Sequence, residues 1–170
     1  MPLLPRWATM RAMTERSARP AGVVLDDTSR AIIAELQQDG RRPYASIAAT
    51  VGLSEAAVRA RVQRLTDAGV VQIVAVTDPL QWGLARQAML GVRVSGDAAR
   101  AAQAFADLPE VSYVVLTAGS FDLLVEVVCR SDEHLLEVVN SRIRTVPEVL
   151  ALETFMYLKL AKQTYTWGAS

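Results

Sequence analysis

Arginine and glutamine side chains alternate with apolar ones in the run GLSEAAVRARVQRL, residues 52–65. Three of the apolar residues recur at the spacing of a buried helix face: Val58, Val62 and Leu65. A helix turns by about 100° per residue, so Arg59 and Gln63 are predicted to point away from that face. Guanidinium and carboxamide groups can bind base edges in the major groove of DNA. The run therefore predicts a helix that contacts DNA.

Other residues around this helix have the chemistry of contacts to the DNA backbone. Arg61 and Arg64 fall on its flanks, where they suit phosphates or a neighbouring helix. Arg41 and Arg42 lie in the loop before the motif and also suit phosphates. Glu55 would repel phosphate, but it favours a helix N-terminus. The full predicted DNA-binding set is Arg41, Arg42, Ser54, Glu55, Ala56, Arg59, Ala60, Arg61, Gln63 and Arg64.

Two helices are predicted before this one. The first covers residues 26–39, and the second covers residues 44–51, directly after Pro43, which favours a helix start. Ser54 is predicted to cap the third helix, which ends near residue 68.

Ala48, Gly52 and Val58 have the spacing of a helix-turn-helix motif, at offsets of four and six. The small side chain of Ala48 lets two helices cross steeply, and Gly52 tolerates the positive φ of the turn. Val58 then supplies the apolar anchor of the following helix. The spacing predicts a DNA-binding domain.

The rest of the chain has the order of a ferredoxin-like βαββαβ domain. A linker with a strand over residues 70–76 comes first, and strands follow at AMLGVRV, VSYVVLTA and DLLVEVVC, with a last strand through Leu160. LPEV at 108–111 and VPEV at 146–149 each join a helix to a strand, as two βαβ halves should. The predicted inner helix faces are Ala98, Ala101, Ala102 and Phe105, and Leu135, Leu136, Val139 and Ile143.

The apolar character of the central strands predicts a homodimer. Their residues are apolar on both faces, yet two helices cover only one face of a four-stranded sheet. A second copy, packed sheet to sheet, would cover the other face.

Composition limits the remaining possibilities. The formal net charge is zero, so only local patches bear on nucleic-acid binding. The single cysteine, Cys129, and the single histidine, His134, give neither an internal disulfide nor a metal cluster. No apolar run approaches the about 18 residues of a membrane span. Residues 1–22 lack the apolar middle of a signal peptide and are expected to be a disordered basic tail.

The chain resembles the Lrp/AsnC family of bacterial and archaeal feast/famine transcription regulators. Three stretches carry the resemblance: LDDTSRAIIAELQQDGR, IAATVGLSEAAVRARVQRLTDAGVV and TAGSFDLLVEV. The resemblance implies an α+β protein with a winged-type helix-turn-helix domain (23–69), a strand linker (70–84) and a ferredoxin-like βαββαβ domain of the RAM/AsnC type (85–165). It also implies a cytoplasmic homodimer that assembles into an octamer, binds pseudo-palindromic promoter DNA, responds to an amino acid or related metabolite, and needs no cofactor.

In such regulators the effector site lies around the turn between the second and third strands of the C-terminal domain. Here that turn contains Gly119, Ser120, Phe121 and Asp122. Asp122 would pair with an ammonium group, and backbone N–H groups of the turn would bind a carboxylate. Thr117 and Thr154 would add hydroxyl contacts. The alternative is a simple hairpin in which Asp122 bonds its own backbone.

Two other functions are weighed against a regulator. One is a ligand-sensing or interaction protein with a vestigial helix-turn-helix. The other is a haem-precursor decarboxylase of similar architecture, which depends on histidine, whereas this chain has only His134, predicted at the outer start of a helix. No Ser/His/Asp set, P-loop or metal-ligand spacing occurs in the sequence.

Overall fold

The computed structural model describes residues 25–164. Residues 25–75 belong to one compact unit, and residues 76–163 form another. The predicted basic tail, residues 1–22, lies outside the described residues. No helix within residues 25–164 is both long enough and apolar enough to span a membrane.

Within residues 25–75, the N-terminal unit has three helices: α1 (Asp27–Gln38), α2 (Tyr44–Val51) and α3 (Glu55–Asp67). Side chains cap two of them, because Asp26 accepts a hydrogen bond from the Ser29 N–H and Ser54 accepts one from the Ala57 N–H. These helices and the Ser54 cap confirm the prediction. The core of this unit contains Ile32, Leu36, Ile47, Ala48, Val58 and Val62.

The turn between α2 and α3 depends on Gly52. Its φ is 70°, in the left-handed region that favours glycine, and its N–H donates to the Ala48 carbonyl. Ala48 itself is buried where the two helices approach. The predicted helix-turn-helix is confirmed.

The predicted strand over residues 70–76 is not formed in this chain. Residues 71–78 have no regular structure, and the short 3₁₀ helix Pro79–Trp82 follows. The segment is rich in β-branched residues, but a strand also needs a hydrogen-bonded neighbour, and no described segment pairs with it. Ile73, Val74 and Val76 are consequently exposed.

The C-terminal unit has the predicted βαββαβ order. Its elements are β1 (Arg86–Val94), α4 (Ala98–Ala106), β2 (Val111–Leu116), β3 (Leu123–Cys129), α5 (Asp132–Val138, continued by a π-helical turn Val139–Ile143) and β4 (Val149–Met156). The strands form one antiparallel sheet in the order β2-β3-β1-β4.

The core of this unit lies between the two helices and one face of the sheet. β3 alternates between buried and partly exposed residues, and Ala88, Leu90 and Val92 of β1 lie in the same core. Phe105 of α4 and Ile143 after α5 complete the core and are fully buried.

Two details of the sequence prediction were wrong. Leu136 is 61% exposed, because Leu135, Val138 and Val139 form the buried stripe and Leu136 lies about 100° away from it. The last strand ends at Met156 and does not reach Leu160, which is exposed.

No helix within residues 25–164 covers the second face of the sheet. Met89 of β1 pairs with Glu126 of β3 and Phe155 of β4, so these three residues share the face opposite Leu90. Tyr113 pairs with Glu126 on the same face. Tyr113 and Phe155 are exposed, so this face presents two aromatic side chains to solvent.

Candidate nucleic-acid interface and effector site

The outward side of α3 carries Arg59 and Gln63, as predicted. Both side chains are exposed. Arg59 Nη2 lies 2.7 Å from Glu55 Oε1, one helical turn earlier, and the Arg59 Cζ lies 5.1 Å from the ring centroid of Tyr44. Gln63 Nε2 donates to Asp67 Oδ1 at 2.7 Å. The two candidate base-reading groups therefore lie on one exposed helix face, each with a neighbouring acid.

Arg61 has the second of its two predicted roles, contact with a neighbouring helix. Its Nη1 lies 2.8 Å from Asp26 Oδ2 and 3.3 Å from Ser29 Oγ, at the start of α1. The hydrogen bond from Ser29, and then that from Arg61, holds the pKa of Asp26 well below its usual range. Arg61 thus ties α3 to the N-terminus of α1, and its predicted phosphate contact would require this pair to open.

The other predicted contacts differ in how they are held. Arg42 Nη1 lies 2.6 Å from Glu35 Oε2, so this arginine braces the end of α1. Arg41 and Arg64 are exposed, and no residue within 25–164 forms an ion pair with either side chain. The Ser54 hydroxyl is used by the α3 cap. Ala56 and Ala60 are exposed and small, which leaves α3 free to approach another surface closely.

The predicted effector turn joins β2 to β3 and is fixed to β1 by Asp122. The Asp122 N–H donates to the Val92 carbonyl, and Asp122 Oδ2 accepts from the Val94 N–H at 2.9 Å. The Thr117 hydroxyl donates to the Phe121 carbonyl at 2.6 Å. The Asp122 side chain therefore bonds the neighbouring strand β1, rather than its own turn as in the simple hairpin alternative, while the Asp122 carbonyl accepts from the Thr117 N–H across the turn. Within residues 25–164, no hydrogen bond reaches the other carboxylate oxygen, Oδ1.

Phe121 lies on the uncovered face of the sheet, over Gly91. A Cβ atom built at Gly91 would come within 2.7 Å of the Phe121 ring, so only glycine admits the ring at this distance. The ring also makes an edge contact with Phe155, with centroids 6.0 Å apart. The absence of a side chain at Gly91 thus allows the Phe121 ring to pack against β1.

The structure brings Thr117, Phe121 and Asp122 together but separates Thr154 from them. Thr154 pairs with Leu90, whose side chain is in the helix-covered core, so Thr154 lies on the opposite face from Phe121. Gly119 and Ser120 are exposed at the tip, and a Cβ atom at Gly119 would meet nothing within 4 Å. The tip is open to a ligand or to another protein copy.

The histidine lies apart from the effector turn. His134 is in the first turn of α5, as predicted, and its Nε2 is 3.4 Å from Glu110 Oε1. Its Nδ1 accepts from the Arg130 N–H. No cluster suited to a metal ion occurs within the described residues.

Sequence reasoning missed Tyr44 and Gly91. Tyr44 begins α2 and meets Arg59 only because the motif folds α2 across α3, so no periodicity marks the pair. Gly91 could have been noticed, because a glycine inside a strand often marks a close approach.

Comparison with known proteins agrees with both units. Residues 25–66 match the AsnC-type helix-turn-helix domain, and residues 87–170 match the PF0864 C-terminal dimeric alpha+beta barrel domain. The HTH-type transcriptional regulator FL11 of Pyrococcus horikoshii is 31% identical over 84% of this chain and 95% of its own length.

Solved structures give the same result. The structure of Escherichia coli AsnC superposes with a TM-score of 0.76 at 25% identity, over 85% of this chain and 99% of AsnC. The complex of the regulator NMB0573 from Neisseria meningitidis with L-Met also superposes with a TM-score of 0.76. Its identity is 26%, over 85% of this chain and 97% of that chain. The relatives are transcriptional regulators and not enzymes, so the regulator hypothesis is confirmed over the decarboxylase alternative. The chain belongs to the Lrp/AsnC family of DNA-binding transcription regulators.

Proposed function

We propose that this regulator binds a pseudo-palindromic promoter site as a homodimer, with α3 of each copy in the major groove. The observation that carries the proposal is the exposed face of α3, where Arg59 and Gln63 stand side by side beyond the Ser54 cap. Such helices contact base edges through their N-terminal part. Arg41 and Arg64, exposed on either side, would contact phosphates. We also propose a cytoplasmic location, because the protein would have to meet the DNA that it regulates.

The uncovered sheet face supports the homodimer. Tyr113 and Phe155 would remain in water in a single copy, although burying apolar surface contributes roughly 25 cal/mol per Å². A second copy packed sheet to sheet would bury both residues. Its linker would also offer the segment 71–76 a strand to pair with, which residues 25–164 of one copy do not supply. We propose further that such dimers assemble into an octamer.

We propose that an amino acid binds at the turn of residues 119–122 and changes DNA affinity. Asp122 Oδ1 would accept from the ammonium group, while Oδ2 stays bonded to the Val94 N–H. The open tip at Gly119 and Ser120 leaves room for the rest of the molecule. L-Met in the complex of the related NMB0573 supports an amino acid as the class of effector. Binding that favours one assembly over another would shift the spacing of the α3 pairs.

A mobility-shift titration on the DNA upstream of the protein's own gene tests DNA binding, repeated with each common amino acid. Arg59→Ala should weaken operator binding by about 1–3 kcal/mol and relax its sequence preference. Arg64→Ala should weaken binding to all sequences alike and reduce the salt slope by about one. Unchanged binding in both variants would overturn these roles, and absence of binding by the unsubstituted protein would favour a vestigial helix-turn-helix.

Light scattering on the purified protein tests the assembly. The proposal expects a dimer or larger particle whose size responds to the effective amino acid. A protein that stays monomeric at micromolar concentration would contradict the paired sheet.

A further inference from the structure

On the exposed face of α3, two neighbouring side chains hold Arg59. Glu55 lies against one edge of its guanidinium, at 2.7 Å, and the Tyr44 ring lies 5.1 Å from Cζ. Tyr44 is itself fixed, because it begins α2 and packs against the core of the N-terminal unit. Within residues 25–164, the side chain of Arg64 on the same helix has no comparable partner.

This clamp leaves the guanidinium able to bind a base. A guanidinium has five N–H donors in a plane, and the bond to Glu55 uses Nη2. The remaining donors are enough for a bidentate contact with guanine O6 and N7. An arginine already held in one orientation loses less rotamer freedom when it binds.

The negative charge of Glu55 has a second consequence. It offsets the charge of Arg59 next to the DNA, which lowers the attraction of this helix face to phosphates of any sequence. A paired arginine therefore loses nonspecific affinity while it keeps the directional contact with a base.

We propose that Tyr44 and Glu55 are positioning residues that hold Arg59 for one guanine of the operator, and so raise sequence discrimination rather than total affinity. The inference rests on the proposed function, because it requires α3 to enter the groove. It differs from a structural role for Tyr44, which would affect binding to every sequence equally.

The test uses the full-length protein and duplexes enriched from a random-sequence pool by the unsubstituted chain. The base position that depends on Arg59 is defined as the one whose preference is lost in Arg59→Ala. Tyr44→Leu keeps apolar packing but removes the aromatic face, and it should lower discrimination at that position about threefold. Tyr44→Phe keeps the aromatic face and should retain the preference, and preferences at the other positions should not change.

A double variant separates positioning from structure. If Tyr44 acts through Arg59, adding Tyr44→Leu to Arg59→Ala should cause no further loss of discrimination. An equal loss at all positions, or an additive loss in the double variant, would overturn the role of Tyr44. Arg64→Ala is the matched control. In the Arg64→Ala protein, Tyr44→Leu should lower discrimination by the same factor as it does in the unsubstituted protein.

Glu55→Gln keeps the side-chain length and removes the charge. It should tighten binding to unselected duplexes, steepen the salt dependence and lower discrimination at the same position. Full discrimination in this variant would overturn the role of Glu55. If the unsubstituted protein enriches no sequence, the proposed function and this inference both fail. If it enriches a sequence but Tyr44→Leu leaves base discrimination unchanged, only the inference is overturned.

Discussion

Replacing Gly91 by alanine should destabilise the C-terminal unit through a contact with a single ring. The new Cβ atom would lie 2.7–2.8 Å from Cγ, Cδ2 and Cε2 of Phe121, while ordinary contacts begin at 3.4 Å. The ring must therefore move by roughly 0.7 Å, because β1 is held between β3 and β4 on both sides. Cγ is attached directly to the Phe121 Cβ, so the turn of residues 119–122 must move with the ring.

The expected magnitude is a small difference between two effects. Overpacking of this kind costs about 1–3 kcal/mol. The lower backbone entropy of alanine in the unfolded chain offsets about 0.4–1 kcal/mol of that cost. The net loss is about 1–2 kcal/mol, which corresponds to a decrease of about 5–15 °C in the unfolding temperature of a unit of this size.

Scanning calorimetry of the full-length protein measures this change. Gly119→Ala is the matched control, because its Cβ meets no described atom within 4 Å, so the entropy gain remains without a clash and the unfolding temperature should not fall. Phe121→Leu should cancel much of the Gly91→Ala penalty, since a smaller side chain removes the clash. The reasoning is refuted if Gly91→Ala is as stable as the unsubstituted protein, or if its penalty is the same with leucine at position 121.

Three further outcomes follow from the C-terminal unit. Asp122→Asn keeps an oxygen that can accept from the Val94 N–H but loses the charge, so about tenfold more amino acid should be needed to alter DNA binding. DNA affinity without the amino acid should be unchanged, and an unaltered dose response would contradict the site. Burial, and then the hydrogen bond to Glu126, raises the pKa of Tyr157 to about 12, so ultraviolet titration should detect one late phenol that Tyr157→Phe removes and Glu126→Gln shifts lower. Because the folded state keeps that proton longer, its contribution to stability should fall as the pH rises from about 10 towards 12, and a flat unfolding free energy there would contradict it. Cys129 is fully buried, so a disulfide reagent should label it only at the rate of unfolding, and fast labelling of the native protein would contradict its place in β3.

Local signals were enough to predict the helix-turn-helix. Ser54 caps α3 through a bond to a residue three positions later, and Gly52 adopts its turn conformation within the motif. Such short-range chemistry can be identified in one chain without knowledge of the rest of the fold. The order of the C-terminal strands followed for the same reason, since each strand and helix has its own periodicity.

Features that depend on distant partners could not be predicted in this way. Asp122 bonds Val94, 28 residues earlier, so its use as a strand anchor follows only from the pairing of β1 with β3. The linker has strand-forming residues but no hydrogen-bonded neighbour strand within residues 25–164, and composition alone cannot show whether a segment has one. The inner face of α5 was misjudged at Leu136, because the helix rotation is set by packing on the sheet.

Selection from a random pool of DNA duplexes in dilute salt tests the central claim most directly. We expect the unsubstituted protein to enrich a two-fold-symmetric sequence, with half-sites spaced by about 10 base pairs or a multiple of it. The Arg59→Ala protein should lose a base preference within each half-site. If the protein enriches no sequence, or only a motif without two-fold symmetry, the result would contradict a homodimer that binds the major groove through α3 of each copy.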